Sequence, residues 1–243
     1  MILANHGIVS SSGSLPPSTL LTNLYAVYKA ENNANDSLGV YNGTAQGGLT
    51  YSTGKSGNAF LFNGTNAYVS APDDSYNSLT ADFSLSMWVN VVSTGGIQGF
   101  FTNFAYNGSV FYGISISNNN GVNRGQIFNG TGSIITLQDV NPVSYGVWEH
   151  FVFTRKASTG SKIYRNGVLS NTDSSTINPV YSSGNMRPSI GAQAYGPLFS
   201  NTVQYYAGNG TKIDELNIWT KEVTAAEITE LYNSGTGKFY PTF

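Results

Sequence analysis

Thirteen acidic residues, two histidines and no cysteine are what this 243-residue chain offers for acid–base or covalent chemistry. Two carboxylates can cleave a glycosidic bond when they flank it roughly 5–10 Å apart. The acids here do not form such a pair. Asp73 and Asp74 sit in a turn-like Pro-Asp-Asp-Ser segment. Asp214 and Glu215 are neighbours on an expected strand, so their side chains should leave opposite faces. His6 and His150 are distant in sequence, and neither a Gly-x-Ser-x-Gly elbow nor a Walker loop occurs. Zinc is excluded by the same inventory. The expectation is a protein that is not an enzyme.

Aromatic side chains are the other chemistry on offer. The chain holds 16 Tyr and 13 Phe. Sugar rings stack on such faces while Asn, Asp and Gln fix the hydroxyls. Phe101, Tyr106, Tyr112, Tyr195 and Tyr205 are the candidate ligand-binding residues, with Phe100, Phe104 and Tyr206 beside them. Each has an alternative role in core or inter-subunit packing. Trp88, Trp148 and Trp219 fall inside strand patterns and are expected in the core.

The elements that must position these groups are strands. Charged residues are only 10% of the chain, and turn-forming residues abound. One large β domain fits the length. The net charge of −2 comes with no basic block, so nucleic acid is not an expected partner. No run of 18 apolar residues is present, so no membrane span is expected. Without cysteine there are no disulfides, and the compartment cannot be read from them. Met1-Ile2-Leu3-Ala4-Asn5-His6-Gly7 lacks the basic and apolar regions of a signal peptide. Residues 1–20 divide off as an N-terminal arm, either a flexible leader or a docking segment, and residues 21–243 form the domain.

Phe83-Ser84-Leu85-Ser86-Met87-Trp88-Val89 alternates, placing Phe83, Leu85, Met87 and Val89 on one face. Phe151–Arg155 and Lys162–Arg165 follow the same rule. Asn-Gly recurs at 42–43, 63–64, 107–108, 129–130, 166–167 and 209–210, marking hairpin turns, most clearly in Tyr164-Arg165-Asn166-Gly167-Val168-Leu169. Near the end, Thr224-Ala225-Ala226-Glu227 fits a capping box. Ile228, Leu231 and Tyr232 then share a face, and Gly235 is placed to stop the helix.

These segments in this order resemble laminin-G-like domains of the concanavalin A-like superfamily. The resemblance runs through Asn32–Ser37 with Asn42-Gly43-Thr44, Ala59–Gly64 with Tyr68-Val69, and Phe83–Val89. It continues through Trp148–Thr154, Ile163–Gly167 and Ile213–Trp219 with the helix after it. It implies an all-β jelly-roll sandwich of two antiparallel sheets with one short C-terminal helix. Residues 93–147 match none of these motifs and are expected to supply variable loops and strands of the concave face. Retaining glycosidases of this fold carry Glu-x-Asp-x-x-Glu on one strand, a pattern missing here. The resemblance also implies that His150 is a structural histidine beside a core Trp. It implies a structural Ca2+ site built from Asp214, an early acid (Glu31 or Asp36) and the Gly57 carbonyl; the alternative is that Asp36 and Asp214 simply accept backbone amides.

The functional expectation is a non-catalytic structural or binding module. Its first form is a virion component, such as a phage capsid-decoration, fibre or tail protein. Such a protein would dock on other virion or assembly proteins through the arm, self-associate as a homo-oligomer and touch host glycans. The alternative is a carbohydrate-binding module of a secreted or surface protein. A divergent glycoside hydrolase is the third reading.

Overall fold

The computed structural model describes residues 18–132, 134–182, 186–194 and 203–243. Residues 1–17 of the expected arm and Tyr195 lie outside the described residues.

The strands are β1 (Leu24–Tyr28), β2 (Thr44–Gln46), β3 (Thr50–Thr53), β4 (Asn58–Leu61), β5 (Tyr68–Ser70) and β6 (Phe83–Asn90). They continue as β7 (Ile97–Tyr106), β8 (Phe111–Asn119), β9 (Val122–Asn129), β10 (Ile134–Gln138), β11 (Trp148–Lys156) and β12 (Gly160–Arg165). The last are β13 (Val168–Asp173), β14 (Ser189–Ile190), β15 (Gln193–Ala194), β16 (Val203–Gln204) and β17 (Lys212–Trp219), followed by helix α1 (Ala225–Tyr232). One sheet runs β13-β12-β11-β6-β17-β4-β3, with β1 also paired to β17. The second runs β10-β9-β8-β7-β14-β5-β2, and β15 pairs with β16 apart from both. The pairings are antiparallel. Residues 93–147 prove to be mostly strand: β7 to β10 form a four-strand meander in the second sheet.

The alternation of β6 explains the layering. Phe83, Leu85, Met87 and Val89 point inward with Phe151, Phe153, Ile163 and Ile218 of the same sheet. Across from them lie Phe101, Ile114, Ile116, Ile127, Ile135 and Leu137 of the second sheet. Ser84, Ser86 and Trp88 point the other way, yet they too are buried. A second apolar cluster covers that outer face: Leu20, Val152, Tyr164, Trp219, Val223, Ile228 and Leu231. Leu20, one residue before the expected domain start, is fully buried, and its carbonyl accepts the Trp219 indole N–H at 2.6 Å. The packed body therefore begins before residue 21.

Trp88 and Trp219 are core residues as expected, whereas Trp148, at the start of β11, is half-buried. His150 packs tilted against Trp88 at 5.1 Å and stacks with Tyr232 at 6.2 Å, and its Nε2 bonds Ser86 Oγ at 2.7 Å. Burial pushes the imidazole down to about 3, so it stays neutral in the stack. Asn166 (φ 50°) and Gly167 (φ 78°) form the expected β12–β13 turn. Asn120 (φ 50°) and Gly121 (φ 85°) do the same between β8 and β9, an Asn-Gly step that the strand reading of 93–147 passed over.

The capping box of α1 is present: Thr224 Oγ1 accepts the Glu227 N–H and Glu227 accepts the Thr224 N–H. The helix stops earlier than expected. Asn233 takes the left-handed C-cap position (φ 46°), and Gly235 ends a following 3-10 turn. Asn tolerates this conformation, so Gly is not required there.

The helix is held by its apolar face. Leu231→Ala should cost roughly 2–5 kcal/mol, the range for a buried Leu truncation. Urea unfolding should show a lower midpoint with unchanged slope. A loss below about 0.5 kcal/mol, within the range of surface substitutions, would mean that α1 is not part of the cooperative unit.

Candidate functional site

Three connections meet around an open cleft of about 540 Å3. The β4–β5 turn gives Asn63, Gly64 and Thr65. The β6–β7 connection and the start of β7 give Thr94, Gly95 and Ile97. The segment after β16 gives Tyr205, Tyr206, Gly208 and Asn209. The lining is amide, hydroxyl, aromatic and glycine with one aliphatic side chain, Ile97, and no charged side chain among the described residues.

Hydrogen bonds tie two of the connections together, and a close backbone approach sets the third. Gln98 is the hub. Its Nε2 donates to the Val92 carbonyl at 2.9 Å, and its Oε1 accepts the Gly208 N–H at 2.8 Å and the Thr211 hydroxyl at 2.9 Å. Thr211 Oγ1 in turn accepts the Val92 N–H. Asn63 is spent on its own turn, accepting the amides of Thr65, Asn66 and Ala67 and donating to the Gly47 carbonyl. Gly64 lies so close to Asn209 that a Cβ there would sit 2.6 Å from the Asn209 nitrogen. Each buried polar group left unpaired costs about 1–3 kcal/mol, so this frame resists rearrangement.

Tyr205 stands out on that frame. It has φ 50°, a left-handed conformation costly for a bulky residue. Its carbonyl is fixed by the Gly99 N–H at 2.7 Å, and the residue is 37% exposed. Tyr206 packs on Tyr68 at 6.1 Å. The Asn209 carboxamide makes no hydrogen bond among the described residues and faces solvent.

Tyr206 lines the cleft with Tyr205, and Tyr195 lies outside the described residues, but Phe100, Phe101, Phe104, Tyr106 and Tyr112 do not line it. Phe101 is fully buried and packs edge-on against Tyr76 at 5.2 Å, so it has no face to offer a ligand. It occupies an inward strand position, which composition alone does not reveal. Phe100 and Phe104 are buried too. Tyr106 and Tyr112 flank the β7–β8 hairpin. Tyr106 stacks on Phe111 at 4.5 Å and donates to the Gly108 carbonyl, while Tyr112 accepts from Asn107 Nδ2. Thr65, Thr94 and Asn209 were not among the candidates. Only the Asn-Gly steps at 63–64 and 209–210 hinted at their loops.

The residues expected around a structural Ca2+, with Glu31 and Asp36 as alternatives, lie in two places. Asp36 accepts the amides of Val27, Leu38, Val40 and Tyr41, which occupies both of its oxygens. Glu31, Gly57 and Asp214 gather at the β3–β4 turn. Glu31 accepts the Asn58 N–H, and Asp214 accepts those of Lys55, Ser56 and Glu215. The Gly57 carbonyl accepts the Gly54 N–H. Of the two early acids expected as alternatives, Glu31 and not Asp36 is the one that lies beside Gly57 and near Asp214. No group of three or more His, Cys, Asp or Glu among the described residues is arranged to hold a metal.

Glu215 carries the unexpected feature. A β-bulge interrupts the pairing of β17 with β6 between Asp214 and Asn217, and Glu215 sits there at φ 49°. Simple alternation of Asp214 and Glu215 therefore fails. Both residues are buried, at 0% and 1% exposure, and neither Glu215 oxygen has a hydrogen-bond partner among the described residues. Burial pushes Asp214 up to about 7, against three amide donors and with help from Glu31. Burial and the Asp214 charge push Glu215 up to about 8. Acids that hold protons more tightly when folded stabilise the fold below their unfolded values, near 4, and lose that contribution as pH rises through 7–8. The melting temperature in EDTA should fall between pH 5 and pH 9, and Glu215→Gln should flatten the decline. A melting temperature that climbs over that interval would contradict this assignment.

No curated protein matches the chain in sequence. Its fold is similar to the binding domain of Paraclostridial Mosquitocidal Protein 1, at TM-score 0.68 and 18% identity over 88% of this chain. The chain spans 52% of that structure. Domain 4 of the extracellular arabinanase AbnA from Geobacillus stearothermophilus, solved with arabinotriose, gives 0.64 and 22%, covering 89% of this chain and 98% of that one. The binding domain of Botulinum Neurotoxin DC, in complex with SialylT, gives 0.66 and 16%, covering 88% and 52%. The profile of the concanavalin A-like lectin/glucanases superfamily matches residues 63–229, more than half of the sequence and most of both sheets. The chain belongs to the concanavalin A-like lectin/glucanases superfamily.

Proposed function

We propose that this chain is a non-catalytic carbohydrate-binding module whose ligand seat is the cleft between the 63–65, 94–97 and 205–209 segments. One observation carries the proposal: an exposed Tyr205, locked in a strained conformation over a cleft of amides and hydroxyls. A tyrosine face can stack on a sugar ring, and Asn209, Thr65 and Thr94 can bond its hydroxyls. The Gln98 hub holds these groups in place before binding, which limits the ordering cost of association. Arabinotriose and SialylT in the named structures are ligands of those proteins, and they support a saccharide as the ligand class.

Hydrolysis finds no support at the cleft. No carboxylate lines it, whereas glycoside cleavage needs two. Asp214 and Glu215 are buried, and Asp73 is exposed beside Arg187. The proposal holds equally for a module displayed on a virion and for one carried by a secreted protein, because it depends only on the cleft.

A glycan array spanning neutral and acidic oligosaccharides should give a defined set of binders. Tyr205→Ala should weaken the best of them by about tenfold or more, equal to roughly 1.4 kcal/mol, with the melting temperature retained. Gln98→Leu should weaken binding and also lower stability, since it leaves the buried Gly208 amide and Thr211 hydroxyl and the partly buried Val92 carbonyl without their partner. An empty array, or a Tyr205→Ala protein that binds as the parent does, would refute the proposal.

A further inference from the structure

Charge is divided unevenly between the two sheets. The strands β11, β12, β13 and β17 carry Glu149, Arg155, Lys156, Lys162, Arg165, Asp173, Lys212, Asp214 and Glu215. The seven strands of the other sheet carry a single charged residue, Arg124 on β9. Residues 56–72, 83–123 and 188–211, which contain every segment of the cleft, hold no charged residue.

Arg124 also differs from the other arginines in its partners. Arg165 meets Asp139 and Glu149, Arg187 meets Asp73, and Arg155 donates to the Ser175 carbonyl and Asn178. Arg124 makes one hydrogen bond among the described residues, from Nε to Ser117 Oγ at 2.9 Å. That bond orients the guanidinium, and neither terminal nitrogen has an acceptor among the described residues. The side chain is half-buried, so its charge is partly desolvated with no carboxylate in compensation.

The register places Arg124 beside the cleft. Arg124 pairs with Ser117, and Ser117 pairs with Gly99, whose N–H holds the Tyr205 carbonyl. The Tyr205 phenol is near enough to act on the guanidinium charge. An aromatic face and a fixed, unpaired guanidinium thus lie at neighbouring positions on an otherwise uncharged surface.

We propose that Arg124 is a specificity residue that selects a carboxylate-bearing sugar, such as a uronic or sialic acid, at the Tyr205 site. A planar guanidinium presents paired N–H donors that match the two oxygens of a carboxylate. The uncharged surroundings leave its field uncancelled, so an acidic sugar gains an attraction that a neutral one does not. This inference rests on the saccharide-binding proposal and adds the class of ligand.

Calorimetric titration of the whole chain with lactose and sialyllactose, and with neutral galactose oligomers and galacturonate oligomers, tests it. At low salt at least one acidic sugar should bind about tenfold tighter than its neutral counterpart. The difference should shrink as salt screens the pair. Arg124→Gln, which can still bond Ser117, should remove the preference while leaving neutral-sugar affinity and melting temperature unchanged. Arg124→Lys should restore only part of it. Neutral sugars binding as tightly as acidic ones, or a preference that survives Arg124→Gln, would overturn the role of Arg124 while leaving the cleft proposal intact. Binding of no sugar at all would overturn both.

Discussion

Strand β6 has water on neither side. Its inward residues Phe83, Leu85, Met87 and Val89 close the space between the sheets; on its outer face Ser84 and Trp88 contact α1 and the chain leading into it, and Ser86 bonds His150 of β11. Everything else follows from this double burial. A central strand sealed on both faces leaves conformationally strained residues to sheet margins, turns and bulges. There the backbone can leave the pleat and find partners. The Tyr205 cleft, the Glu215 bulge and the Asn-Gly turns are all such places.

The cleft shows how a rigid scaffold positions loops that are themselves irregular. Its three segments are far apart in sequence, and no single element joins them. Gln98, buried at the start of β7, ties two of them by side-chain hydrogen bonds to backbone groups. The close approach of Gly64 to Asn209 sets the third. A network of this kind fixes geometry because breaking any part strands a buried donor or acceptor. It also lets a strained Tyr205 persist, since the surrounding bonds over-determine its backbone.

Much of the architecture was legible in the sequence, for identifiable reasons. The alternation of Phe83–Val89, the Asn166-Gly167 turn and the Thr224–Glu227 capping box are local signals, and local physics decides them. The site was less legible. Tyr205 was named, but so was Phe101, because an inward and an outward aromatic look alike until the register is known. The residues around Tyr205 come from three distant turns, which only tertiary structure assembles. Asp214 and Glu215 were placed by strict alternation, and the bulge that breaks it leaves no composition signal. Arg124 drew no notice because its importance lies in what its surroundings lack.

The central claim is that saccharide recognition happens at Tyr205 and not elsewhere on the aromatic-rich second sheet. A crystal structure of the chain with a bound oligosaccharide tests this most directly. A sugar ring stacked within about 4 Å of the Tyr205 ring, with a hydroxyl bonded to Asn209, is the expected result. A sugar seated instead on Tyr106 and Phe111 at the β7–β8 hairpin, with the Tyr205 cleft filled only by water, would contradict the account.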